Sequence, residues 1–194
     1  GIRCAWKVTT VSNSYMEELR WSANGLEALF EYEKGKCSGI LNGIDTRVWD
    51  PESDAYLENH FNSKTRTEGK RINKELLCRH FSLDEQKPLI AFIGRLVGEK
   101  GADLLPQAIG DSFYYIGRKM SFLILGSGSP AIEQNLEHAR TLGEGDCSLY
   151  IGYNEGLSHL IYAGAGVILM PSRVEPCGLN QMYAMRYGTV PMVR

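Results

Sequence analysis

The sequence predicts an α/β protein whose main body is a doubly wound parallel sheet. Three observations carry that expectation. Short apolar runs such as LIAFIG (residues 89–94) and VILM (167–170) are continuous, as in strands buried on both faces. Segments of helical spacing alternate with them. Each strand-to-helix junction is rich in Gly, Ser, Pro or charged residues, as turns are. A β-α alternation of this kind implies parallel strands joined by right-handed crossovers.

The N-terminal part is less regular. Residues 7–12 (KVTTVS) are β-branched and read as a strand. Ser14 is expected to cap a short helix through Leu19, with Glu17 completing a capping box. Asn24-Gly25 breaks the pattern, and a weak helix is expected over 26–32. Residues 33–36 read as a loop. Ile40-Leu41 is a brief apolar run before Asn42-Gly43, which reads as a tight turn. Residues 51–69 have no clear period and read as a loop. Residues 70–81 place Ile72, Leu76, Leu77 and His80 at helical spacing.

The alternation then begins. Strands are expected at 89–94, 122–125, 149–151, 167–170 and 189–193. Helices are expected at 102–109, 131–142, 157–163 and 179–187. Pro130 suits the first turn of its helix. The chain stops on an apolar strand where a doubly wound domain normally continues, so the sheet domain is expected to be truncated at its C-terminal end.

Composition excludes several functions. The chain has 194 residues, a formal net charge of −2 and no Lys/Arg cluster, so nothing points to nucleic acid. No apolar run is long enough to cross a bilayer. The five cysteines are scattered and never form C-x-x-C, which argues against zinc and against a disulfide framework. Reduced thiols in the cytoplasm are the simple expectation. There is no G-x-S-x-G elbow, no H-x-x-x-H pair and no D-x-D pair. The four histidines are isolated and read as surface or packing residues.

In a parallel sheet the strand-to-helix loops open on one edge, where such sheets bind ligands. The first loop carries Arg95 and Lys100, two cations able to clamp a diphosphate or to sit solvated on a surface. The second carries Gly126, Ser127 and Gly128, where backbone can approach a ligand. The third carries Tyr153, able to pack on a flat base or simply against its neighbours. The fourth carries Glu175, Cys177, Gly178, Leu179 and Asn180. There a carboxylate precedes a helix start whose free N–H groups suit oxygen-rich ligands, although an ordinary surface Glu beside a capped helix reads the same way.

The motifs KVTTVSNSYMEEL, GILNGIDTRVWDP, GRLVGEKGADLL, LILGSGSPAIE and SHLIYAGAGVILMPSRVEPCGLNQMYAMRYGTVPMVR occur in one order and span nearly the whole chain. Together they resemble the glycogen synthase and starch synthase family, retaining glucosyltransferases of the GT-B type that use ADP-glucose. The resemblance implies a Rossmann-like nucleotide-sugar domain over residues 42–194. Residues 1–41 would be the end of the N-terminal acceptor-side domain and the crossover. It also implies transfer of glucose from ADP-glucose to the 4-OH of an α-1,4-glucan. The other half of the cleft would come from the missing N-terminal domain. No cofactor or metal is implied, nor any nucleic-acid or membrane partner. A bacterial cytoplasm, or a plastid in a plant, is the implied setting.

By the family pattern, Arg95 and Lys100 hold the diphosphate and assist departure of ADP. Asn42 lies near the donor, and Glu175 lies against the glucosyl group, with Cys177, Gly178 and Leu179 close to its hydroxyls. Gly126, Ser127, Gly128 and Tyr153 flank the nucleoside. The family's Lys-Thr-Gly-Gly-Leu motif and Thr-Gly-Gly phosphate loop are absent, so the 194 residues alone are expected to be inactive. Gly166 stands where an Asp is common, Asn180 where a Thr is usual, and Tyr183 where E-x7-E relatives carry a second Glu.

Overall fold

The computed structural model describes all residues 1–194. They form two compact units. The first comprises residues 1–44 with 175–179, and the second comprises 45–174 with 180–194.

In the first unit, β1 (Val8–Thr10) pairs in parallel with β2 (Cys37–Gly39). Two short helices, α1 (Asn13–Glu18) and α2 (Glu27–Tyr32), lie between them in sequence. Met16, Ala23 and Phe30 make its small core. The cap of α1 is Ser12, not Ser14. The backbone is still extended at Ser12, so its Oγ faces the helix start and accepts from the Tyr15 N–H at 3.1 Å. Glu17 pairs with Arg20 at 2.7 Å instead of closing a capping box. The tight turn expected at Asn42-Gly43 is not formed: residues 40–45 are irregular without a turn, and Gly43 keeps a negative or extended φ. No positive φ is needed there because the chain runs on rather than reversing.

The second unit holds a five-stranded, all-parallel sheet in the order β5-β4-β3-β6-β7. Its strands are β3 (Leu89–Ile93), β4 (Ser121–Gly126), β5 (Cys147–Ile151), β6 (Val167–Met170) and β7 (Val190–Val193). The continuous apolar runs are divided between two cores by the two-residue period of a strand. Leu89, Ala91, Leu123, Leu125, Ile168 and Met170 join one core. Phe92, Phe122 and Ile124 join the other. The first core is completed by α3 (Arg66–Phe81), α6 (Glu155–Gly164) and α7 (Leu179–Arg186) through Leu77, Ile161, Tyr162 and Ala184. The second is completed by α4 (Leu105–Asp111) and α5 (Pro130–Leu142) through Leu105, Ile109, Leu136 and Ala139. Helices therefore cover both faces, as a doubly wound sheet requires.

Helix α3 starts four residues before the expected position. Its buried face runs through Gly69, Asn73, Leu77 and Cys78. Asn73 is fully buried and donates to the Asn59 and Gly69 carbonyls, both at 2.9 Å. The region expected as helix 102–109 divides between Leu104 and Leu105, just ahead of Pro106. A 3₁₀ turn covers Ala102–Leu104 and α4 begins at Leu105, with the proline in its first turn, where no N–H is missed. No helix is long and apolar enough to cross a membrane.

Candidate functional site

The strand order reverses direction between β3 and β6, which lie side by side at the centre of the sheet. Ligands of open α/β sheets bind beyond the carboxyl ends of the strands at such a point. Here a cavity of about 320 Å³ opens beyond β3, β4 and β5. Ile93, Gly94 and Arg95 line it from the first loop, and Gly126 and Ser127 from the second. Gly152 to Glu155, Ser158 and Tyr162 line it from the third loop and α6; Trp49, Asn180 and Tyr183 complete the wall.

The first two loops are stitched together by backbone. Gly94 N–H donates to the Leu125 carbonyl at 3.0 Å, Leu96 N–H to Ser127 at 2.9 Å, and Ser129 N–H to Leu96 at 2.9 Å. This explains the glycines. A Cβ on Gly126 would stand 1.9 Å from the Gly94 carbonyl oxygen, and one on Gly128 would stand 2.4 Å from that of Leu96. The Gly128 N–H is taken by Glu133 Oε1 at 2.7 Å. G-S-G is thus required first by loop-to-loop packing. Gly126 and Ser127 line the cavity; Gly128 does not.

Arg95 is two-thirds exposed, and its guanidinium lies 3.5 Å from the exposed Glu99 carboxylate. Exposed pairs four residues apart are weak. Lys100 ends a 3₁₀ turn over Gly98–Lys100 and is half-buried, outside the cavity wall. Tyr153 is 84% exposed at the outer rim. The charge of Glu155 beside it pushes its phenol pKa up. Asn154 caps α6 by accepting from the Leu157 N–H at 2.9 Å.

The inner wall is aromatic. Trp49 is sandwiched between His159, with ring centroids 3.8 Å apart, and Tyr183, at 3.9 Å. Under this stack, His159 Nδ1 lies 2.7 Å from Asp54 Oδ2, and the Tyr187 hydroxyl donates to the same carboxylate. All three are buried. Burial works to raise the Asp54 pKa, but the hydrogen bonds from His159 and Tyr187 hold it below the usual carboxylate range. His159 is therefore the packing residue that the sequence suggested, with the added task of fixing Trp49.

Glu175, Cys177, Gly178 and Leu179 group with the first unit, as does Asn42. Within that unit, Ser12 Oγ donates to the Pro176 carbonyl at 2.6 Å. Gly178 is buried with φ +80°, a conformation that favours glycine at the turn into α7. Asn42 is exposed; Glu175 and Cys177 are half-buried. No group of three or more His, Cys, Asp or Glu is arranged to hold a metal.

Of the residues read from sequence, the cavity brings together Arg95, Gly126, Ser127, Tyr153, Asn180 and Tyr183. Trp49, Asn154, Glu155, Ser158 and Tyr162 were missed. Glu155, Ser158 and Tyr162 fall at steps of three and four, one face of α6, and that spacing could have found them.

A family model described as glycosyl transferases group 1 matches residues 73–194. The chain is 54% identical, over its full length, to a glycogen synthase from Flavobacterium johnsoniae, covering 41% of that protein. It is 45% identical over 96% of its length to a glycogen synthase from Marinobacter nauticus, covering 38% of it. Among solved structures, it is similar to the catalytic domain of starch synthase IV from Arabidopsis thaliana, bound to ADP and acarbose. The TM-score is 0.91 at 38% identity, over all of this chain and 40% of that one. The chain thus spans about two-fifths of the length of these relatives.

Proposed function

The chain belongs to the glycosyl transferases group 1 family, and from that premise we propose that it is the donor half of a glucan synthase. In this reading the enzyme moves glucose from ADP-glucose to the 4-OH of an α-1,4-glucan with retention, in a bacterial cytoplasm. The observation that carries it is the switch-point cavity, with a cation on one loop and an aromatic rim on another. The starch synthase IV structure, which holds ADP, supports the same donor.

The donor's diphosphate lies against Arg95 and Lys100. As the bond from glucose C1 to the β-phosphate oxygen breaks, negative charge grows on ADP, and fixed cations stabilise it more in the transition state than in the ground state. The glucan O4 bonds to C1 from the same face, and its proton passes to the departing phosphate oxygen. Glu175 acts on the glucosyl group by charge and hydrogen bonding, not as nucleophile or base. Asn42 and the backbone at Cys177, Gly178 and Leu179 complete the sugar's surroundings. Gly126, Ser127, Gly128 and Tyr153 border the nucleoside. The reading needs no metal, since Arg95 and Lys100 supply the positive charge that Mg²⁺ supplies elsewhere. The acceptor side comes from the remainder of such a protein.

The test exchanges the matched residues of the Flavobacterium johnsoniae relative for this chain and offers glycogen with ADP-glucose and UDP-glucose in competition. Glucan elongation drawn from ADP-glucose is expected. Preference for UDP-glucose, or folded chimera without transfer, would overturn the reading.

A further inference from the structure

The first half of the loop carrying Arg95 and Lys100 is fixed by the backbone bonds of Leu96 to the second loop. Its second half is held differently. Arg173 N–H donates to the Glu99 carbonyl at 2.8 Å, and Val174 N–H lies 3.3 Å from the same oxygen. The Arg173 guanidinium donates to the Gly98 carbonyl. It also forms a two-pronged pair with Asp103, Nη1 to Oδ1 at 2.6 Å and Nη2 to Oδ2 at 2.8 Å. One planar group thus holds the loop on both sides of Lys100, before it at Gly98 and after it at Asp103. Between these anchors Gly101 takes φ +67°, and a Cβ there would stand 2.1 Å from the Pro171 carbonyl oxygen.

The pair is not a core brace. Its side chains are 39% and 38% exposed, and exposed ion pairs add little to global stability. The hydrogen bonds of Arg173 hold the Asp103 carboxyl below its usual range. A lysine could not replace the arginine, because a single ammonium lacks the fixed fork that spans carboxylate and carbonyl together.

We propose that Arg173 and Asp103 are positioning residues that fix the Gly98–Lys100 turn and so present Lys100 to the donor diphosphate. The diphosphate part rests on the function proposed above; the loop-fixing part does not.

The test uses Arg173→Ala, Arg173→Lys and Asp103→Asn in the 194-residue chain, with amide hydrogen exchange, thermal unfolding and ADP titration. In Arg173→Ala, exchange at the Lys100 and Gly101 amides should speed up roughly 10-fold or more while Leu123 and Ile124 stay protected, as for a local opening. The melting temperature should fall by no more than about 3 °C. ADP affinity should fall roughly 10-fold, less for Arg173→Lys and Asp103→Asn, which each keep part of the contact set. Unchanged exchange at Lys100 and Gly101 overturns the proposal, as does exchange that rises equally throughout the sheet. If the unaltered chain binds no ADP, the donor assignment falls, and the exchange result still decides the loop-fixing role.

Discussion

Asn180 Nδ2 donates to the Ile93 carbonyl over 2.7 Å, joining the first turn of α7 to the end of β3. The bond crosses the switch point, where β3 and β6 send their chains in opposite directions. An amide reaches this carbonyl; the shorter threonine that is usual at this place in the resembled family would not reach it in the same way. Asn180 therefore shapes the cavity wall from behind as well as lining it. Asn180→Ala should destabilise the chain by about 1 kcal/mol, the typical net value of one such bond. Denaturant unfolding measures this.

Lys100→Ala and Glu175→Ala should each leave the fold intact and slow turnover. In the chimera with the Flavobacterium johnsoniae relative, a fall of roughly 100-fold in kcat is expected for each, the scale of losing one strong electrostatic contact in the transition state. Steady-state assays with ADP-glucose check this.

Two glycines predict opposite responses. Gly126→Ala would drive a methyl to 1.9 Å from the Gly94 carbonyl oxygen, which is backbone and cannot turn aside. A loss of about 3 kcal/mol is expected. Gly110 lies inside α4, with open space around its Cβ position. Gly110→Ala should instead stabilise by about 0.5–1 kcal/mol through helix propensity. Urea unfolding of both variants separates them.

The pH dependence of stability should carry the signature of Lys70. Its side chain is half-buried, and the ammonium reaches the Tyr162 and Ala163 carbonyls and Thr189 Oγ1. Burial, with Arg66 nearby, lowers its pKa to about 7. Above that value the folded state has shed a proton that the unfolded state, with a lysine pKa near 10.4, still binds. Stability then rises with pH, by up to about 1.4 kcal/mol per unit. The window closes near pH 8.5, the unfolded thiol value. Beyond it Cys147, pushed up to about 12 by burial, contributes the opposite slope. Lys70→Met should flatten the profile between pH 7 and 8.5.

At the acid end, Asp54 sets the expectation. Its folded pKa is held low by His159 and Tyr187, so its stabilising share is present above about pH 4 and is lost as the pH falls further. Asp54→Asn should shift the acid unfolding midpoint upward and reduce stability at pH 7, since it leaves His159 with a poorer partner.

The sheet was legible because its strands are short, apolar and β-rich. What hid from sequence was structure built without apolar side chains. Strand β2 is Cys-Ser-Gly, and the first buried turns of α3 rest on Gly69 and Asn73. A glycine and a buried amide give no hydrophobic period, so the apolar spacing begins only at residue 70. The cap of α1 was misplaced by two residues because several Ser and Asn compete there, and only backbone geometry selects Ser12.

The site divides in the same way. Arg95, Gly126, Ser127 and Tyr153 were legible because a parallel sheet gathers its strand-to-helix loops on one edge. Trp49 was not, because it reaches the cavity from an irregular segment and is fixed by a stack with His159 and Tyr183 far along the chain. Tyr183, noted in the sequence only as the absence of a second Glu, is one face of that stack. The role of G-S-G also changed: its glycines admit neighbouring carbonyls before they admit any ligand.

On the proposed function, the switch-point cavity takes the donor nucleotide. Amide chemical shifts of the 194-residue chain during titration with ADP test it most directly. Perturbations are expected at Gly94, Arg95, Lys100, Ser127, Gly152 and Tyr153, reduced in Arg95→Ala. Perturbations confined to the polar cavity lined by Asp50, Asn62, Arg66 and Arg186, or none at millimolar ADP, would contradict it.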